Sequence, residues 1–319
     1  MTQCENSHTK YSEKETKMAA LITTDFEIPA EISAGIFEKA QKGSALAQLS
    51  GARPQKFGKQ QVWVLTAPPK AELVGEAAQK SPTPTTYAAK TVNPYKLQVT
   101  MRFSQEVQWA DEDVQIGVLQ DLASNAGIAL GRSLDLVGIH KINPLTGEVS
   151  SLVKEGIIDT TQAAEYRAQT SYDGAIEAAA SLVISAGYTP AGIAMDPTLS
   201  FGLSTMRDTT GRRIYPELGF GQSIANFAGM QAAVSDTVSA KNEVTKATNL
   251  LGVVGQFDAF RWGVQRSISA HLIEYGDPDG LGDLQRQNQI AIRAEIVYGI
   301  GIMDLNAFAK VVVPASDTP

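Results

Sequence analysis

The feature that most constrains the fold is the stretch at residues 96–140, where an alternating strand pattern passes directly into a long helical pattern. In the first part, Leu97, Val99, Met101 and Phe103 alternate with polar residues, which is typical of a strand with one buried face. From about Asp111 the period changes, and this spacing predicts one helix of roughly eight turns with a single apolar stripe. The stripe consists of Val114, Val118, Leu122, Ala126, Leu130, Leu134 and Val137.

Both ends of this predicted helix carry suitable signals. Asp111, Glu112 and Asp113 lie at its start, where carboxylates favour the positive end of the helix dipole and cap free N–H groups. Asn143-Pro144 follows its end, and proline cannot continue a helix. Capping explains the three carboxylates without acid–base chemistry, because neighbours at a helix start point in different directions.

Composition and charge place the chain among folded proteins. Of 319 residues, 43% are hydrophobic and 19% are charged, which suits one large or two ordinary domains. The formal net charge is −7, and no local run of Lys and Arg suggests a surface that grips nucleic acid. Cys4 is the single cysteine, so the chain forms no internal disulfide. We expect no membrane-spanning segment and no signal peptide.

The first hundred residues predict an arm followed by an oversized hairpin. Residues 28–49 indicate one short amphipathic helix after Pro29; before them, residues 1–17 hold no Leu, Ile, Val or Ala, and Met18 is a candidate start. Strands at 61–66 and 96–103 predict a hairpin with a tip of roughly thirty residues, far longer than usual. Because this tip has too few apolar residues to pack on itself, we expect it to contact another subunit.

Two further regions complete the predicted architecture. Between about 150 and 258, the helical segment YDGAIEAAASLVISAG and the short apolar runs GIAMDP, GMQAAVSD and NLLGVVGQF predict an α/β subdomain. Residues 262–272 and 290–300 predict two long strands joined by the acidic connector GDPDGLGD. Such a ribbon needs a covering helix, and the helix at 111–140 is the candidate. In the first of these strands one face is predicted to hold Trp262, Val264, Ile268 and Leu272.

Candidates for catalysis or metal binding are weak. His8, His140 and His271 are scattered, and Cys4 lies in a polar tail, which disfavours a zinc site or a Cys/His nucleophile. We interpret His140 as a dipole partner or a surface residue. Gly219-Phe220-Gly221 lacks a preceding strand and a third glycine, so a turn is favoured over a dinucleotide loop. The acidic loop with Asp277, Asp279 and Asp283 lacks the spacing of a calcium loop, so a solvated turn is favoured.

Together, five segments make the chain resemble the major capsid proteins of tailed bacteriophages, which have the Hong Kong 97-type shell fold. They are an N-terminal arm, a long hairpin with AELVGEAAQK, the passage RFSQEVQWADED, the segment MDPTLSFGLSTMRDTTGRRIYP, and the ending NQIAIRAEIVYGIGIMDLNAFAKVVV. The resemblance covers nearly everything from Met18 to Val313 in the right order. It implies an α+β chain with an N-terminal arm, an extended β-hairpin loop, a peripheral domain with a long spine helix and a long β-ribbon, and an α/β axial domain.

The resemblance also implies a division of the chain. The arm is 1–54, the extended loop 55–103, the peripheral domain 104–155 with 256–300, and the axial domain 156–255 with 301–319. Contacts between subunits are then expected from the extended loop (Lys70, Glu72, Glu76, Lys80, Tyr87 and Lys90) and from an axial loop (Arg207, Asp208, Arg212, Arg213 and Tyr215). The core of the spine helix is expected at Val118, Leu122, Leu130 and Leu134.

The function implied by the resemblance is assembly rather than catalysis, with no cofactor and no metal. Hexamers and pentamers of one chain would form an icosahedral head around double-stranded DNA, without sequence-specific binding or membrane contact, alongside portal and decoration or scaffolding proteins. The virion would be its location, after assembly in the host bacterial cytoplasm. Some shells of the family cross-link a loop lysine to an asparagine. Lys70, Lys80, Lys90, Lys96 and Asn288 are available, but no helping carboxylate matches, so that activity is not carried over.

Two alternatives remain open from the sequence. An encapsulin-type nanocompartment shell would share the fold but enclose a protein cargo. A soluble α/β enzyme would use the sheet around residues 190–260, and it would require a convergent polar site, of which the sequence shows no sign.

Overall fold

The computed structural model describes residues 43–67, 69–76, 79–83, 85–109, 112–167, 171–218, 224–246 and 248–314; it leaves out the side chains at 66–67, 108–109, 112–116, 119 and 267–270. In chain order the helices are α1 Ala45–Leu49, α2 Glu112–His140, α3 Tyr172–Ser185 and α4 Pro197–Thr205. The strands are β1 Gln60–Ala67, β2 Thr86–Ser104, β3 Ala163–Glu165, β4 Gly192–Met195, β5 Asn226–Phe227, β6 Met230–Val234, β7 Leu250–Gly255, β8 Phe260–Ile273, β9 Gln289–Ile302 and β10 Phe308–Val312.

The strands form two sheets. The first has the order β1-β2-β9-β8 and is antiparallel throughout. The second has the order β3-β10-β7-β4-β6-β5, with parallel pairs at β10/β3 and β4/β6. The C-terminal strand β10 lies between β3 and β7, so the last described strand closes the second sheet.

The central strands of the second sheet are buried on both faces. Ile193 and Met195 of β4 pack with Ala175, Ile176 and Val183 of α3. Ala194, between them, belongs instead to the core that surrounds α2. This is why these strands read as continuous apolar runs in the sequence rather than as alternating ones.

The largest buried side chains gather where α2 meets both sheets. Trp262 and Tyr298 are fully buried and touch edge to face. The Trp262 indole N–H donates to the Ser50 carbonyl (2.9 Å), and the Tyr298 hydroxyl donates to the Leu130 carbonyl of α2 (3.3 Å). Both polar tips are therefore satisfied inside the core, as burial of an aromatic residue with a polar group requires.

The predicted long helix is present, and α2 ends at His140 as the Asn143-Pro144 signal indicates. Leu130 and Leu134 are buried, whereas Val118 and Leu122 are only half-buried. From Ser133 to His140 every residue is buried, because this end of the helix lies between the two sheets. No described helix combines the length and the apolar character needed to cross a membrane.

The hairpin differs from its prediction in the position of its second strand. β2 begins at Thr86 rather than at Lys96, so the connection between the strands is correspondingly shorter. Pro94 lies inside β2, opposite Gly299 of β9. At this point β1 no longer pairs with β2, and a proline is tolerated in a strand that has one unpaired edge.

Two other local predictions concern α1 and β8. Residues 28–42 of the helix expected across 28–49 lie outside the described part, and within that part α1 begins only after Ser44, whose hydroxyl accepts from Ala47 N–H (3.1 Å). Strand β8 shifts register between Val264 and Arg266 and again between Arg266 and Ser269. Because the two shifts offset each other, Trp262, Val264 and Leu272 still lie on one face, opposite Ile300, Tyr298 and Ile292 of β9. The side chain of Ile268 lies outside the described part.

Candidate assembly surface

The outer half of the hairpin is a ribbon of only two strands. β1 pairs with residues 86–92 of β2, and β2 pairs with β9 only from Asn93 onward. An isolated pair of strands is marginally stable in water unless something covers one of its faces. Within the described residues of this chain, no third strand flanks this part of β2.

One face of this ribbon is apolar and exposed. Trp63 pairs with Ala89 and Leu65 with Tyr87, and directly opposite residues lie on the same face of a sheet. Trp63 is 68% exposed and Tyr87 is 58% exposed. Exposed aromatic side chains grouped in this way mark an interaction surface more often than a free one.

The tip of the hairpin is closed by polar contacts across it. The Glu72 carboxylate accepts from Ser81 N–H (3.0 Å) and from the Ser81 hydroxyl (3.2 Å). The Thr83 hydroxyl donates to the Lys70 carbonyl (3.2 Å). Lys70, Glu72, Glu76 and Lys80 are exposed, and Lys90 is half-buried on the ribbon. Leu73 is fully exposed.

The axial loop is a small hairpin of its own. Arg207 and Arg213 form a β-bridge, and the Asp208 carboxylate accepts from the N–H groups of Thr210 and Arg212 (2.8 and 2.9 Å). The Thr210 hydroxyl also donates to this carboxylate (2.7 Å), and this bond together with the backbone bonds holds the pKa of Asp208 below its usual value. The Tyr215 hydroxyl donates to the Asp173 carboxylate (3.2 Å) at the base of the loop. Asp208 therefore organises its own loop, while Arg207 and Arg212 remain exposed.

A buried carboxylate that the sequence patterns did not single out joins three parts of the chain. Asp135 of α2 is completely buried and accepts from the Ser44 hydroxyl (2.5 Å), Ala45 N–H (2.8 Å), Leu46 N–H (3.0 Å) and the Thr237 hydroxyl (2.6 Å). Burial raises the pKa of this carboxyl, and the four hydrogen bonds oppose that effect. Asp135 ties the start of α1 and the segment at Thr237 to α2.

The acidic connector between β8 and β9 is an exposed turn, as expected, and its carboxylates at Asp277 and Asp279 pair with Arg102. Arg102 of β2 donates to both Asp279 carboxylate oxygens, to Asp277 (3.1 Å) and to the Gly282 carbonyl (2.9 Å). The Arg102 guanidinium lowers the pKa of Asp279. The sequence pattern did not indicate that Arg102 pairs with these aspartates, because Arg102 lies at a position where alternation predicts exposure to solvent. Asp283 accepts from Arg286 N–H (3.0 Å).

His140 is a buried residue rather than the surface residue that was predicted. Its ring is 3% exposed, and Nε2 lies 3.1 Å and 2.9 Å from the carbonyl oxygens of Thr237 and Val238. Two acceptors around Nε2 require that this nitrogen carry the proton. Nδ1 is buried and has no hydrogen-bond partner among the residues that the structure describes, and burial lowers the pKa of His140.

The remaining candidate residues form no chemical site. Among the residues that the structure describes, no three His, Cys, Asp or Glu side chains converge in a way that could hold a metal. His271 is exposed on β8, and Asn288 precedes β9 with a left-handed backbone. Cys4, His8, Asp111, the side chains of Glu112 and Asp113, and Gly219-Phe220-Gly221 lie outside the described part.

Comparisons with known proteins agree with this arrangement. Residues 25–313 match the model of the phage capsid family. A protein described as probable major capsid protein gp17, from Mycobacterium phage D29, is 22% identical over 281 residues, which is 85% of each chain. Most of the chain is therefore matched.

Solved structures are similar in fold as well as in sequence. One from Mycobacterium phage Ogopogo is 53% identical with a TM-score of 0.76, covering 85% of this chain and 92% of that one. One from Gordonia phage Cozz is 30% identical with a TM-score of 0.74, covering 85% and 87%. The fold is the Hong Kong 97-type shell fold, and these relatives are structural proteins rather than enzymes. The chain belongs to the phage capsid family and is a major capsid protein of a tailed bacteriophage.

Proposed function

We propose that this chain assembles into the pentamers and hexamers of an icosahedral phage head that encloses double-stranded DNA. The observation that carries the proposal is the two-stranded ribbon of β1 and residues 86–92, whose apolar face is exposed at Trp63 and Tyr87. A single copy offers no cover for this face among its described residues, and a second copy would supply it. Membership of the phage capsid family supports the same conclusion.

Two surfaces are proposed as contacts between subunits. The first is the extended loop, with Tyr87 on the apolar face and Lys70, Glu72, Glu76, Lys80 and Lys90 around it. The second is the axial loop of Arg207, Asp208, Arg212, Arg213 and Tyr215. Contacts of this kind are heterologous, so one chain that repeats them closes rings of five or six copies. The exposure of both loops supports their assignment.

The proposed domain division follows the two sheets. The sheet of β1, β2, β9 and β8 with α2 would be the extended loop and the peripheral domain, and α2 would be its spine helix. The sheet that contains β4, β7 and β10 would be the axial domain. Because α2 packs against both sheets and Asp135 ties it to α1 and to the segment at Thr237, we expect the two domains to move as one unit.

The proposed partners and location follow from the same function. The head would carry a portal and possible decoration or scaffolding proteins, in a virion assembled in the host bacterial cytoplasm. A net charge of −7 suits a shell that encloses DNA without trapping it through phosphate contacts. We therefore expect no sequence-specific DNA binding.

Electron microscopy of the chain expressed alone in bacteria tests the proposal. Closed shells or capsomer rings would support it. A uniform population of monomers under the same conditions, and again after the co-expression of neighbouring head genes, would contradict it. A binding assay with duplex DNA at physiological salt should show no sequence preference.

A further inference from the structure

Residues 53–58, which we call the strap, connect the two edges of the first sheet. In the order β1-β2-β9-β8, the edge strands are β1 and β8. At the start of the strap, Arg53 N–H donates to the Trp262 carbonyl of β8 (2.9 Å). Shortly after the strap, the chain enters β1 at Gln60. The strap therefore has to cross one face of the sheet between these two points.

The strap crosses the face that points away from α2. Trp262 and Tyr298 are buried in the core that surrounds α2, and successive residues of a strand alternate between its faces. Gly263 and Gly299, which are paired in the register of β8 and β9, therefore lie on the opposite face. A Cβ atom at Gly263 would collide with the Arg53 carbonyl oxygen. The glycine pair thus lets the backbone of the strap approach the sheet closely.

One side chain of β8 holds the strap in this position. Val264 and Arg266 pair with two consecutive residues of β9, so Gln265 between them is the extra residue of a bulge, and a bulge redirects a side chain. The Gln265 side chain accepts from Gly58 N–H (2.9 Å) and donates to the Gly58 carbonyl (3.0 Å). It also donates to the side-chain oxygen of Gln55 (3.2 Å).

The strap is held at these contacts, while most of its residues remain exposed. Gln55 donates to the Gly299 carbonyl (3.3 Å) as well. Within residues 53–58 only Gln55 and Gly58 are half-buried, and Phe57 is 75% exposed. Gly58 has a φ of +110°, which residues with a side chain rarely adopt. The two positions that contact Gln265 are therefore the ones that fix the path of the strap.

The strap leads directly into the hairpin. One residue, Lys59, separates Gly58 from the first residue of β1, and β1 pairs with residues 86–92 of β2, beyond the part of β2 that pairs with β9. The outer ribbon is thus attached to the body twice, through the continuation of β2 into the sheet and through the strap. With β2 alone the ribbon could swing about one point, whereas the second attachment fixes its direction.

We propose that Gln265 is a positioning residue for assembly, because by clamping the strap it fixes the direction in which the hairpin leaves the body. This inference rests on the proposed assembly function and names what sets the angle of the hairpin. Closed rings and shells require each contact to repeat at a constant angle. Loss of the clamp leaves the fold in place and widens the range of angles at which the hairpin is presented.

A distance measurement in Gln265→Met tests the clamp, because methionine has no donor and is only a weak acceptor. In Cys4→Ser subunits kept unassembled by low concentration, spin labels at the exposed positions Ala89→Cys and Ile184→Cys report the direction of the hairpin relative to α3. We expect the distance distribution to be at least about twofold broader in Gln265→Met than in the parent. Gln285→Met, an exposed position in the β8–β9 connector, is the matched control and should keep the parent distribution. An equally narrow distribution in Gln265→Met would overturn the proposal.

The particles separate a positioning role from a structural one. At equal protein concentration, we expect closed shells of one diameter from the parent and open or mixed-diameter particles from Gln265→Met. Gln265→Glu keeps the acceptor for Gly58 N–H and should give an intermediate result. Closed shells of the parent diameter from Gln265→Met would overturn the proposal, even if its urea midpoint were lowered. If the parent makes no shells, the proposed function fails, and the distance measurement still tests the clamp.

A second variant displaces the strap from the other side. Gly263→Ala brings a methyl group against the Arg53 carbonyl oxygen, so it should broaden the same distance distribution as Gln265→Met does. Gly51→Ala is the control, because a Cβ at Gly51 meets no atom within 4 Å. A parent-like distribution in a folded Gly263→Ala subunit would show that the strap does not set the direction of the hairpin.

Discussion

Asp135 shows how one side chain can hold distant parts of this chain together. A buried carboxylate is costly unless donors surround it, and here four donors from Ser44, Ala45, Leu46 and Thr237 do so. The same contact attaches α1, where the described chain begins, to the body of the subunit. Its partners lie 89 to 91 residues away in sequence in one direction and 102 residues away in the other.

Substitution of Asp135 should therefore destabilise the subunit strongly. Asp135→Asn leaves a single acceptor oxygen for four donors and turns an amide N–H₂ group toward some of them. We expect the free energy of unfolding to fall by about 3 kcal/mol. Asp121→Asn, an exposed position on the same helix, is the matched control. Urea unfolding of unassembled subunits measures both, and equal midpoints for the two variants would refute the role of Asp135.

Because His140 is buried, we expect the free energy of unfolding to depend on pH. Its pKa is lowered by burial, so the folded state stays neutral while the unfolded state takes up a proton below about pH 6.5. Because the unfolded state then binds more protons, stability is present above that pH and is lost as the pH falls. If Nδ1 of His140 were protonated, the new N–H would find no hydrogen-bond acceptor among the described residues.

The check is the difference in urea midpoint between about pH 7.5 and about pH 5.5. We expect His140→Gln to reduce this difference, since glutamine does not titrate. An unchanged difference in His140→Gln would show that other groups set the pH dependence.

At the scale of elements, α2 stabilises the subunit mainly through its C-terminal half. Leu130 is buried against both the first sheet and α1, in the same cluster as Ala45 and Tyr298. Leu122 is only half-buried. We expect Leu130→Ala to cost about 3 kcal/mol of unfolding free energy and Leu122→Ala about 1 kcal/mol. Denaturant unfolding compares them, and a larger loss at Leu122 would contradict this distribution of packing.

The connector between β8 and β9 should depend on Arg102. Removing the guanidinium leaves the Asp277 and Asp279 carboxylates close together without a counter-charge. Arg102→Gln should speed backbone hydrogen exchange in residues 276–284 by about tenfold while leaving α2 unchanged. Arg286→Gln, an exposed arginine beside the same connector, is the control. Unaltered exchange in Arg102→Gln would mean that the connector is held by its backbone alone.

Most helices and strands could be predicted from local periodicity. The wrong predictions concern residues whose environment depends on a partner that is distant in sequence. The start and end of α2, the apolar strands β4 and β7, and the helix α3 follow from spacing that neighbouring residues reveal. Alternation placed Arg102 on the solvent side of its strand, and no pattern singled out Asp135, because the partners of both lie in remote segments. Pro94 fell inside the predicted tip of the hairpin, because the sequence does not show which strand edge is unpaired.

The site was less predictable than the fold for the same reason. The oversized hairpin and its need for a partner could be inferred from composition alone. The apolar face with Trp63 and Tyr87 could not be inferred from composition, because it depends on the strand register that places Leu65 opposite Tyr87. The cavity of about 610 Å³ at the base of the hairpin is lined by β2, β9 and the 154–155 loop, and no local pattern links these segments.

At the scale of the whole molecule, the subunit divides into a packed body and a hairpin that is incomplete alone. The body holds both sheets around α2, and its core contains the large buried aromatic residues. The outer part of the hairpin, β1 with residues 86–92 of β2, has no third strand beside it among the described residues. We infer that the packed body determines the stability of the subunit and that the hairpin determines whether subunits assemble.

Shortening the hairpin tests that claim most directly. Ala67 pairs with Thr86, so residues 68–85 can be replaced by an Asn-Gly turn that suits paired strand ends. We expect an unchanged urea midpoint for this variant and no closed shells in electron micrographs. Normal shells from the shortened chain would contradict it, and so would a parallel loss of both stability and assembly.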